Sequence, residues 1–235
     1  MKSVFKLFII SLFMLTFLYC SDDSNFHKTA TIKVVNLING VDNVIVKNGS
    51  YPINYATTEA KVGFDEFRNF FIEESISNQV EVVTENDTLN PIYSESLNLK
   101  GIHSLYLSGT FGDEEVLLVG DNFKQFTDSV VGVRFINLSK SSGPIDISID
   151  RQNSNVISGL IYRTISDYIE FPAKKVDGSY TFEFMDNLGN VSITNFTINP
   201  LDKNDVSVKK NLTLVITERE LFGGLRYRFT RFNNY

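Results

Sequence analysis

The side chains that could carry acid–base or metal chemistry are few and scattered along this sequence. His27 and His103 stand far apart, and neither has a second histidine at metal-binding spacing. Ser104 follows His103, but no Gly-x-Ser-x-Gly turn surrounds it, so the local signal of a serine nucleophile is missing. A triad can still assemble in space from distant positions. The sequence therefore predicts a non-enzyme without metal or cofactor, and a secreted hydrolase built around His103 is the rival interpretation.

Acidic side chains cluster directly after Gly112, where Asp113, Glu114 and Glu115 follow one another. They could bind calcium, but they lack the alternating spacing of oxygen ligands in a dedicated calcium loop. A solvated hairpin turn is the simpler interpretation. Gly223-Gly224 likewise lacks the Lys-Ser/Thr of a phosphate-binding loop. Neither segment predicts a ligand by itself.

Aromatic side chains could contact sugars, because their faces stack on sugar rings. The sequence has 20 phenylalanines, 10 tyrosines and no tryptophan, and Phe in strands usually belongs to a core. An exposed row of tyrosines would favour glycan binding, whereas flat polar faces would favour a spacer or a protein-binding module. The tyrosines considered for such a row are Tyr51, Tyr55, Tyr93, Tyr106, Tyr162 and Tyr168.

Cys20 is the only cysteine, so it can form no disulfide within the chain. It ends a segment that begins with Lys2 and Lys6 and continues as an almost unbroken apolar run. That run is shorter than a membrane-spanning helix needs, which predicts a secretory signal peptide over residues 1–19 rather than an uncleaved anchor helix. The segment resembles a bacterial lipobox, which implies that Cys20 is acylated and becomes the mature N terminus. Tyr19 departs from the small residue common in that pattern.

The residues that follow the cysteine suggest an address. Ser21, Asp22 and Asp23 resemble the Ser-plus-acidic signal that sends Bacteroidetes lipoproteins to the outer face of the outer membrane. Acyl chains on one cysteine can hold a protein on a membrane without a spanning helix. We therefore expect residues 20–28 to be a lipidated, acidic linker, with the protein facing the cell exterior.

Two short segments resemble the Asp-Ser/Thr-apolar O-glycosylation sites of Bacteroidetes envelope proteins. Thr88 lies in Asp87-Thr88-Leu89, and Ser129 lies in Asp128-Ser129-Val130. Both segments are expected in polar, exposed connections, as a bulky glycan requires. Local hydrogen bonds of the two hydroxyl groups are the alternative interpretation.

The charge of the chain limits its partners. A net charge of −6 argues against nucleic acid, since an acidic protein gains nothing from releasing its counterions. Basic residues do not cluster, except for Arg226, Arg228 and Arg231 near the C terminus. Their spacing also fits the outer face of a strand.

The polypeptide that would position these residues is rich in strand signals. Val, Ile, Thr, Phe and Tyr are frequent, and short alternating runs are separated by turn pairs such as Asn39-Gly40 and Gly143-Pro144. Only the segment from Glu66 to Ser77 is a rival helix candidate. It lacks a clean 3.6-residue period, so we interpret it as mostly strand.

Two stretches repeat in register. Ala30 to Leu37 reads ATIKVVNL, and Val131 to Leu138 reads VGVRFINL, 101 residues later. His103 to Gly109 reads HSLYLSG, and Leu212 to Glu218 reads LTLVITE, 109 residues later. The repeat predicts equivalent inward-facing pairs, Ile32 and Val34 in the first copy and Val133 and Phe135 in the second.

Each repeat unit has about 100 residues, a usual size for a β-sandwich. The polar, weakly patterned segment 121–128 predicts the boundary between them. We therefore predict two tandem immunoglobulin-like or transthyretin-like β-sandwich domains, at residues 29–124 and 125–235. The matched Asn36 and Asn137 are candidate ligand contacts or, more simply, side chains that hydrogen-bond the following loop.

The strand motifs also resemble a known family. The Val-Val-Asn-Leu opening, the Val-Ile-Val strand, Tyr55 and the Leu-Tyr-Leu-Ser-Gly strand before Glu115 are similar to domain of unknown function 4397. That family occurs in bacterial envelope proteins as tandem copies behind a lipoprotein signal. The second copy departs toward the C terminus, where an Arg/Phe-rich strand replaces the Leu-Leu-Val-Gly-Asp ending. The resemblance implies a fold, and it supplies no catalytic residues.

Together these observations predict a non-catalytic cell-envelope lipoprotein that acts as a surface binding or structural display module. A glycan-binding lipoprotein of a nutrient-uptake system is the alternative. The expected partners are the membrane, through the lipid, and a protein or glycan ligand.

Overall fold

The computed structural model describes residues 28–48, 60–74, 76–126, 130–149, 154–172, 180–186, 191–198, 211–221 and 224–234. Within these ranges the chain is almost entirely β-strand, which confirms the predicted all-β class. No helix in these ranges is long and apolar enough to cross a membrane. The alternating apolar pattern therefore decided the secondary structure, as expected for strands that each bury at least one face.

The first copy of the repeat forms two sheets, with strand orders β4-β1-β7-β8 and β3-β2-β5-β6. The segment that begins at Glu66, which was the one rival helix candidate, forms strand β4. The strands are β1 (Thr29–Asn36), β2 (Asn43–Asn48), β3 (Lys61–Gly63), β4 (Glu66–Glu73), β5 (Asn78–Thr84), β6 (Tyr93–Leu97), β7 (Ile102–Thr110) and β8 (Asp113–Gly120).

The second copy forms two further sheets, with orders β12-β9-β16-β17 and β11-β10-β14-β15, and β13 also pairs with β9. The strands are β9 (Val130–Asn137), β10 (Ile145–Ile149), β11 (Asn155–Leu160), β12 (Thr164–Ile165), β13 (Ile169–Pro172), β14 (Tyr180–Asp186), β15 (Val191–Ile198), β16 (Asn211–Leu221) and β17 (Gly224–Asn234).

The two copies share one topology. In each copy the first strand lies parallel to the last but one, β1 with β7 and β9 with β16. The register is also the same, because Lys33 pairs with Ser104 and Arg134 pairs with Thr213. Arg134 follows Lys33 by 101 residues and Thr213 follows Ser104 by 109, which are the two offsets that matched the sequences. The repeat predicted from sequence is therefore confirmed as a structural repeat.

Each pair of sheets encloses its own apolar core. Ile32 and Val34 are fully buried in the core of the first sandwich. Val133 and Phe135 are equally buried in the core of the second. The predicted inward-facing positions are confirmed, and the strand register is correct to the residue.

A third apolar cluster lies between the two sandwiches. The alternate positions of the inner strands, which point away from each sandwich core, pack against one another instead of facing solvent. The molecule is thus four layers of sheet, with the β1 sheet stacked on the β9 sheet. The buried members of this cluster are Val35, Leu37, Tyr106, Ile136, Leu138, Val215 and Phe232.

The cluster is built from equivalent positions of the two copies. Val35 corresponds to Ile136 at the offset of 101, and Tyr106 corresponds to Val215 at the offset of 109. A surface that packs on its own copy in this way has the arrangement of a two-fold symmetric dimer interface. The inner strands are buried on both faces, which explains their nearly continuous apolar sequence.

Candidate functional site

Most residues of the predicted anchor lie outside the described part of the chain. These are Cys20, Ser21, Asp22 and Asp23, together with the proposed glycosylation site Ser129. Thr88, the other proposed glycosylation site, lies half-buried in the turn between β5 and β6. Its O-glycosylation, and that of Ser129, stays a prediction; an intact mass that equals the unmodified chain, measured on protein from the native host, would contradict it.

The turn around Thr88 is held by the preceding aspartate. The carboxylate of Asp87 accepts hydrogen bonds from the backbone of Leu89 and Asn90, each over 3.1 Å, and from the Asn90 side chain over 2.7 Å. These bonds, led by the one from the Asn90 side chain, lower the pKa of Asp87. The turn therefore has a fixed shape that the aspartate supplies, as short polar side chains often do.

His103 and Ser104, the pair considered for hydrolysis, do not form a catalytic arrangement. They are adjacent on β7, so their side chains point to opposite faces of the sheet. The Nδ1 atom of His103 is buried without a hydrogen-bond partner in the described ranges, so no group orients the ring as a base. Ser104 is fully buried and donates from Oγ to Asp121 Oδ2 over 2.6 Å.

The acidic turn at Asp113 and Glu115 contacts the second sandwich. Lys140 lies within 3.5 Å of Asp113 and 3.4 Å of Glu115. Glu115 also accepts a hydrogen bond from the Tyr162 hydroxyl, and the Arg163 Nη2 donates to the Val116 carbonyl over 2.8 Å. In the described ranges no cluster of histidine, cysteine, aspartate and glutamate could hold a metal ion. The acidic run is therefore not a purely solvated turn, because it forms part of the contact between the sandwiches.

Asn36 and Asn137 hold the loops that follow their strands. Asn36 donates from Nδ2 to the carbonyls of Val41 and Val62, each over 3.3 Å, and accepts from the Ile38 amide. Asn137 donates to the Leu160 carbonyl over 3.0 Å and accepts from the Ser139 amide over 2.9 Å. Both asparagines are fully buried. The simpler of the two interpretations, a backbone clamp, is confirmed.

The tyrosines in the described ranges form no exposed row. Tyr106 and Tyr168 are buried, with Tyr106 in the cluster between the sandwiches. Burial raises the pKa of each to about 12. Tyr162 bonds to Glu115 across the interface. Tyr51 and Tyr55 lie outside the described residues.

A polar network crosses the interface between the sandwiches. It centres on Lys33 and Arg134, matched positions of β1 and β9 that are only 1% and 3% exposed. Lys33 donates from Nζ to Asn234 Oδ1, and Asn234 Nδ2 donates to Thr213 Oγ1 over 2.5 Å. Arg134 Nε donates to the same Thr213 oxygen over 2.8 Å. The two sandwiches are thus joined by buried hydrogen bonds as well as by apolar contacts.

Asp121 supplies the buried negative charge of this network. It forms an ion pair with Arg134, and its side chain has no exposed surface. Burial lowers the pKa of Lys33 to about 8, because the loss of hydration outweighs the attraction of Asp121. The ring of Phe67 lies 4.9 Å from Lys33 Nζ and offers a further favourable contact for the cation.

The described part of the predicted interdomain segment is attached to the second sandwich. Besides the ion pair of Asp121, the backbone of Lys124 both donates to and accepts from the Asn211 side chain, over 3.2 and 2.9 Å. The edge of Phe126 packs against Tyr168 at a ring distance of 6.3 Å. The residues of this segment therefore form contacts with the second sandwich.

The loops that follow β1 and β9 lie at the same end of the molecule. Asn39, which follows β1, donates to the Glu218 carbonyl of β16 over 2.7 Å. Lys140, which follows β9, meets the β7–β8 turn at Asp113. At the opposite end Lys33 meets Asn234, near the end of the chain. The N-terminal entry to β1 and the loops after β1 and β9 therefore lie at opposite ends of the molecule.

A shallow cleft opens at the loop end of the first sandwich. It encloses about 440 Å³ of space, open solvent included. Three connections meet there: the β1–β2 loop, the end of β5 and the β7–β8 turn. The residues that line the cleft include Asp42, Asn43, Glu85, Asn86 and Phe111.

The polar side of this cleft is organised by hydrogen bonds. Asn43 Nδ2 donates to Glu85 Oε2 over 2.8 Å, and Lys61 forms an ion pair with Oε1 of the same carboxylate. The bonds from Lys61 and Asn43 lower the pKa of Glu85, so this group stays ionised. Sequence reasoning missed this site, because its residues come from three connections far apart in the chain.

No protein-family model matches the chain, and no curated protein matches it. A solved structure of a streptococcal virulence factor that binds alpha-glucan is 11% identical, covers 85% of this chain and 96% of its own, and has a TM-score of 0.28. A family 26 carbohydrate-binding module of Eubacterium rectale, in complex with maltoheptaose, is 14% identical over 88% and 97%, with a TM-score of 0.25. Likenesses below a TM-score of 0.5 say nothing about what this chain binds, and the resemblance to domain of unknown function 4397 stays a prediction.

Proposed function

We propose that this chain is a non-catalytic binding and display module of the bacterial cell envelope, anchored through a lipidated Cys20. Its two sandwiches would act as one rigid body that holds a binding end away from the membrane. Two observations support the proposal: the buried interface between the inner sheets and the direction in which β1 runs.

Rigidity follows from the interface. Two domains joined only by a linker move relative to one another by default. Here Val35, Tyr106, Val215 and Phe232 are buried in one cluster between the sandwiches. Separation would also expose the charged groups of the Lys33 network. A rigid body of this kind keeps its loops at a fixed distance and orientation from its attached end.

Direction follows from β1. The strand begins at Thr29, a short distance in sequence after Cys20, and runs to Asn36 just before the cleft loop. Eight residues of extended chain span about 26 Å. An anchor at Cys20 would therefore place the cleft, and the equivalent loops of the second sandwich, at the end of the molecule farthest from the membrane.

The hydrolase interpretation has little support from these residues. Ser104 is buried, and the side chain of its neighbour His103 points to the opposite face of the sheet. The cleft at the loop end of the first sandwich is lined by carboxylates, and none of its lining residues is a histidine. Loops that bind on a rigid scaffold are a common arrangement in envelope proteins and need no catalytic group.

Display and anchoring are tested in the native host with the full chain and with Cys20→Ser. A fatty-acid analogue should label the unchanged protein and should not label the variant. Protease added to intact cells should digest the unchanged protein. Equal labelling of both proteins would refute the lipid anchor. Survival of the chain until the outer membrane is broken would show that it faces the periplasm, and that Ser21, Asp22 and Asp23 are not an export signal.

A further inference from the structure

The side chain of Phe111 has no structural role that explains its position. Its ring is 61% exposed, although it lies in the turn that joins β7 and β8. Thr110 and Asp113 pair directly, so Phe111 and Gly112 are the two central residues of a tight hairpin. Gly112 has a φ of 91°, which the turn requires of glycine. The turn makes no such demand at Phe111, where a polar residue would serve equally well.

The ring is nevertheless held in place. The Phe111 amide donates to the Asn39 carbonyl over 2.9 Å, and Asn39 also bridges to Thr110. Gly40 of the β1–β2 loop lies beside Phe111, where an added Cβ would be 3.7 Å from the Phe111 Cβ. Two loops therefore fix the backbone beneath an exposed aromatic face, and fixed presentation reduces the conformational entropy lost on binding.

The polar groups around the ring complement it. Asn43 and Glu85 form a bonded amide–carboxylate pair, and the exposed Asp42 and Asn86 lie on the same cleft. Such a set offers both donors and acceptors within one small area. Small-molecule sites combine an apolar surface with a few placed polar groups in this way.

We propose that this cleft binds a neutral saccharide, with one sugar ring stacked on Phe111 and its hydroxyl groups bonded to the Asn43–Glu85 pair. The proposal rests on the proposed function, since it names the ligand class of the displayed end. Sugar hydroxyls both donate and accept, which suits a carboxylate beside an amide. The C–H face of a pyranose presents the apolar surface that an exposed ring can cover.

The charge and the size of the cleft restrict the class of ligand further. The carboxylates of Asp42 and Glu85 would repel uronic acids and sulfated or phosphorylated sugars. The cleft is shallow and open to solvent, so it would cover one face of a sugar ring of a longer chain and would not enclose the ligand.

The test uses residues 21–235 and neutral oligosaccharides of four to seven glucose, mannose, galactose or xylose units, with binding measured by calorimetry. We expect at least one series to bind, and Phe111→Ala to weaken that binding by roughly tenfold. Asn43→Ala should weaken it as well. Phe71→Ala, which removes a ring 68% exposed on β4 away from the cleft, should change affinity less than about twofold.

Three results would overturn the proposal. These are the failure of every neutral series to bind, binding that Phe111→Ala leaves unchanged, and equal loss of binding in Phe111→Ala and Phe71→Ala. Thermal unfolding of each variant separates lost binding from lost folding. None of these results bears on lipid labelling or surface digestion, so the failure of the saccharide site is distinguishable from the failure of the display function.

Discussion

The buried lysine of the interface should make this protein more stable in mild alkali than at neutral pH. Burial lowers the pKa of Lys33 from 10.5 to about 8 in the folded state. Between these values the unfolded chain binds a proton that the folded chain does not. The contribution of Lys33 to stability therefore rises with pH across this range, since stability rises wherever the unfolded state holds more protons.

The size of the effect follows from the same values. A pKa that falls from 10.5 to about 8 corresponds to roughly 3 kcal/mol of destabilisation by the charged lysine at neutral pH. About 1 kcal/mol of this should be regained between pH 8 and pH 9. Toward pH 10 the rise is increasingly offset, because burial raises the pKa of Tyr106 and Tyr168 to about 12, and the unfolded chain loses its tyrosine protons first.

The assay is urea unfolding at pH 7, 8, 9 and 10, with Lys33→Met as the decisive variant. Methionine keeps the length of the side chain and removes the titrating group, so the rise between pH 8 and pH 9 should disappear. At pH 7 the variant should match or exceed the unchanged protein in stability, since replacing a buried ion by an apolar group often stabilises. The control is Lys47→Met, a partly exposed lysine paired with Glu81, which should keep the rise.

Two outcomes would refute this reasoning. One is a free energy of unfolding that stays flat or falls between pH 8 and pH 9 in the unchanged protein. The other is an equal rise in Lys33→Met, which would assign the titration to a different group.

Two further measurements address the core and the interface. Phe135→Ala should lower the free energy of unfolding by about 3–5 kcal/mol, because the ring is fully buried against Phe182 at a ring distance of 5.3 Å; a loss under about 1 kcal/mol would mean that its surroundings collapse or that the ring is exposed. Val215→Asp places a charge in the cluster between the sandwiches and should make residues 121–126 the first site of limited proteolysis, whereas the unchanged protein should resist cutting there. Equal cutting of both proteins would mean that the interface does not protect this segment.

The sequence predicted the strands and their inward faces well, because these depend on local alternation. Ile32, Val34, Val133 and Phe135 were assigned to cores from the two-residue period and the repeat alone. The stacking of the two sandwiches also left a signal in the nearly continuous apolar stretches that end at Leu37 and Leu138. Lys33 and Arg134 interrupt those stretches. The sequence pattern therefore did not reveal that these strands are buried on both faces.

The partners of these charges could not be predicted from local pattern. Lys33 and Asn234 are separated by almost the whole length of the chain. The cleft has the same property, since Asn43, Glu85 and Phe111 come from three separate connections. A tight turn with an aromatic residue before glycine, Phe111-Gly112, was a readable signal of an exposed ring. The polar residues beside Phe111 could be identified only from the fold.

The linker between the copies breaks the symmetry of their interface, and this decides which cation is stable there. A two-fold symmetric pair would give Lys33 and Arg134 the same surroundings. In this chain the one segment that joins the copies contributes Asp121 to Arg134, while Lys33 receives the neutral amide of Asn234. The side chains suit these partners, because the planar guanidinium group of Arg134 bonds Thr213 and Asp121 at once, whereas the ammonium group of Lys33 acts as a compact charge. Lys33 therefore carries the unfavourable burial, and Arg134 with Asp121 ties the connecting segment to the interface.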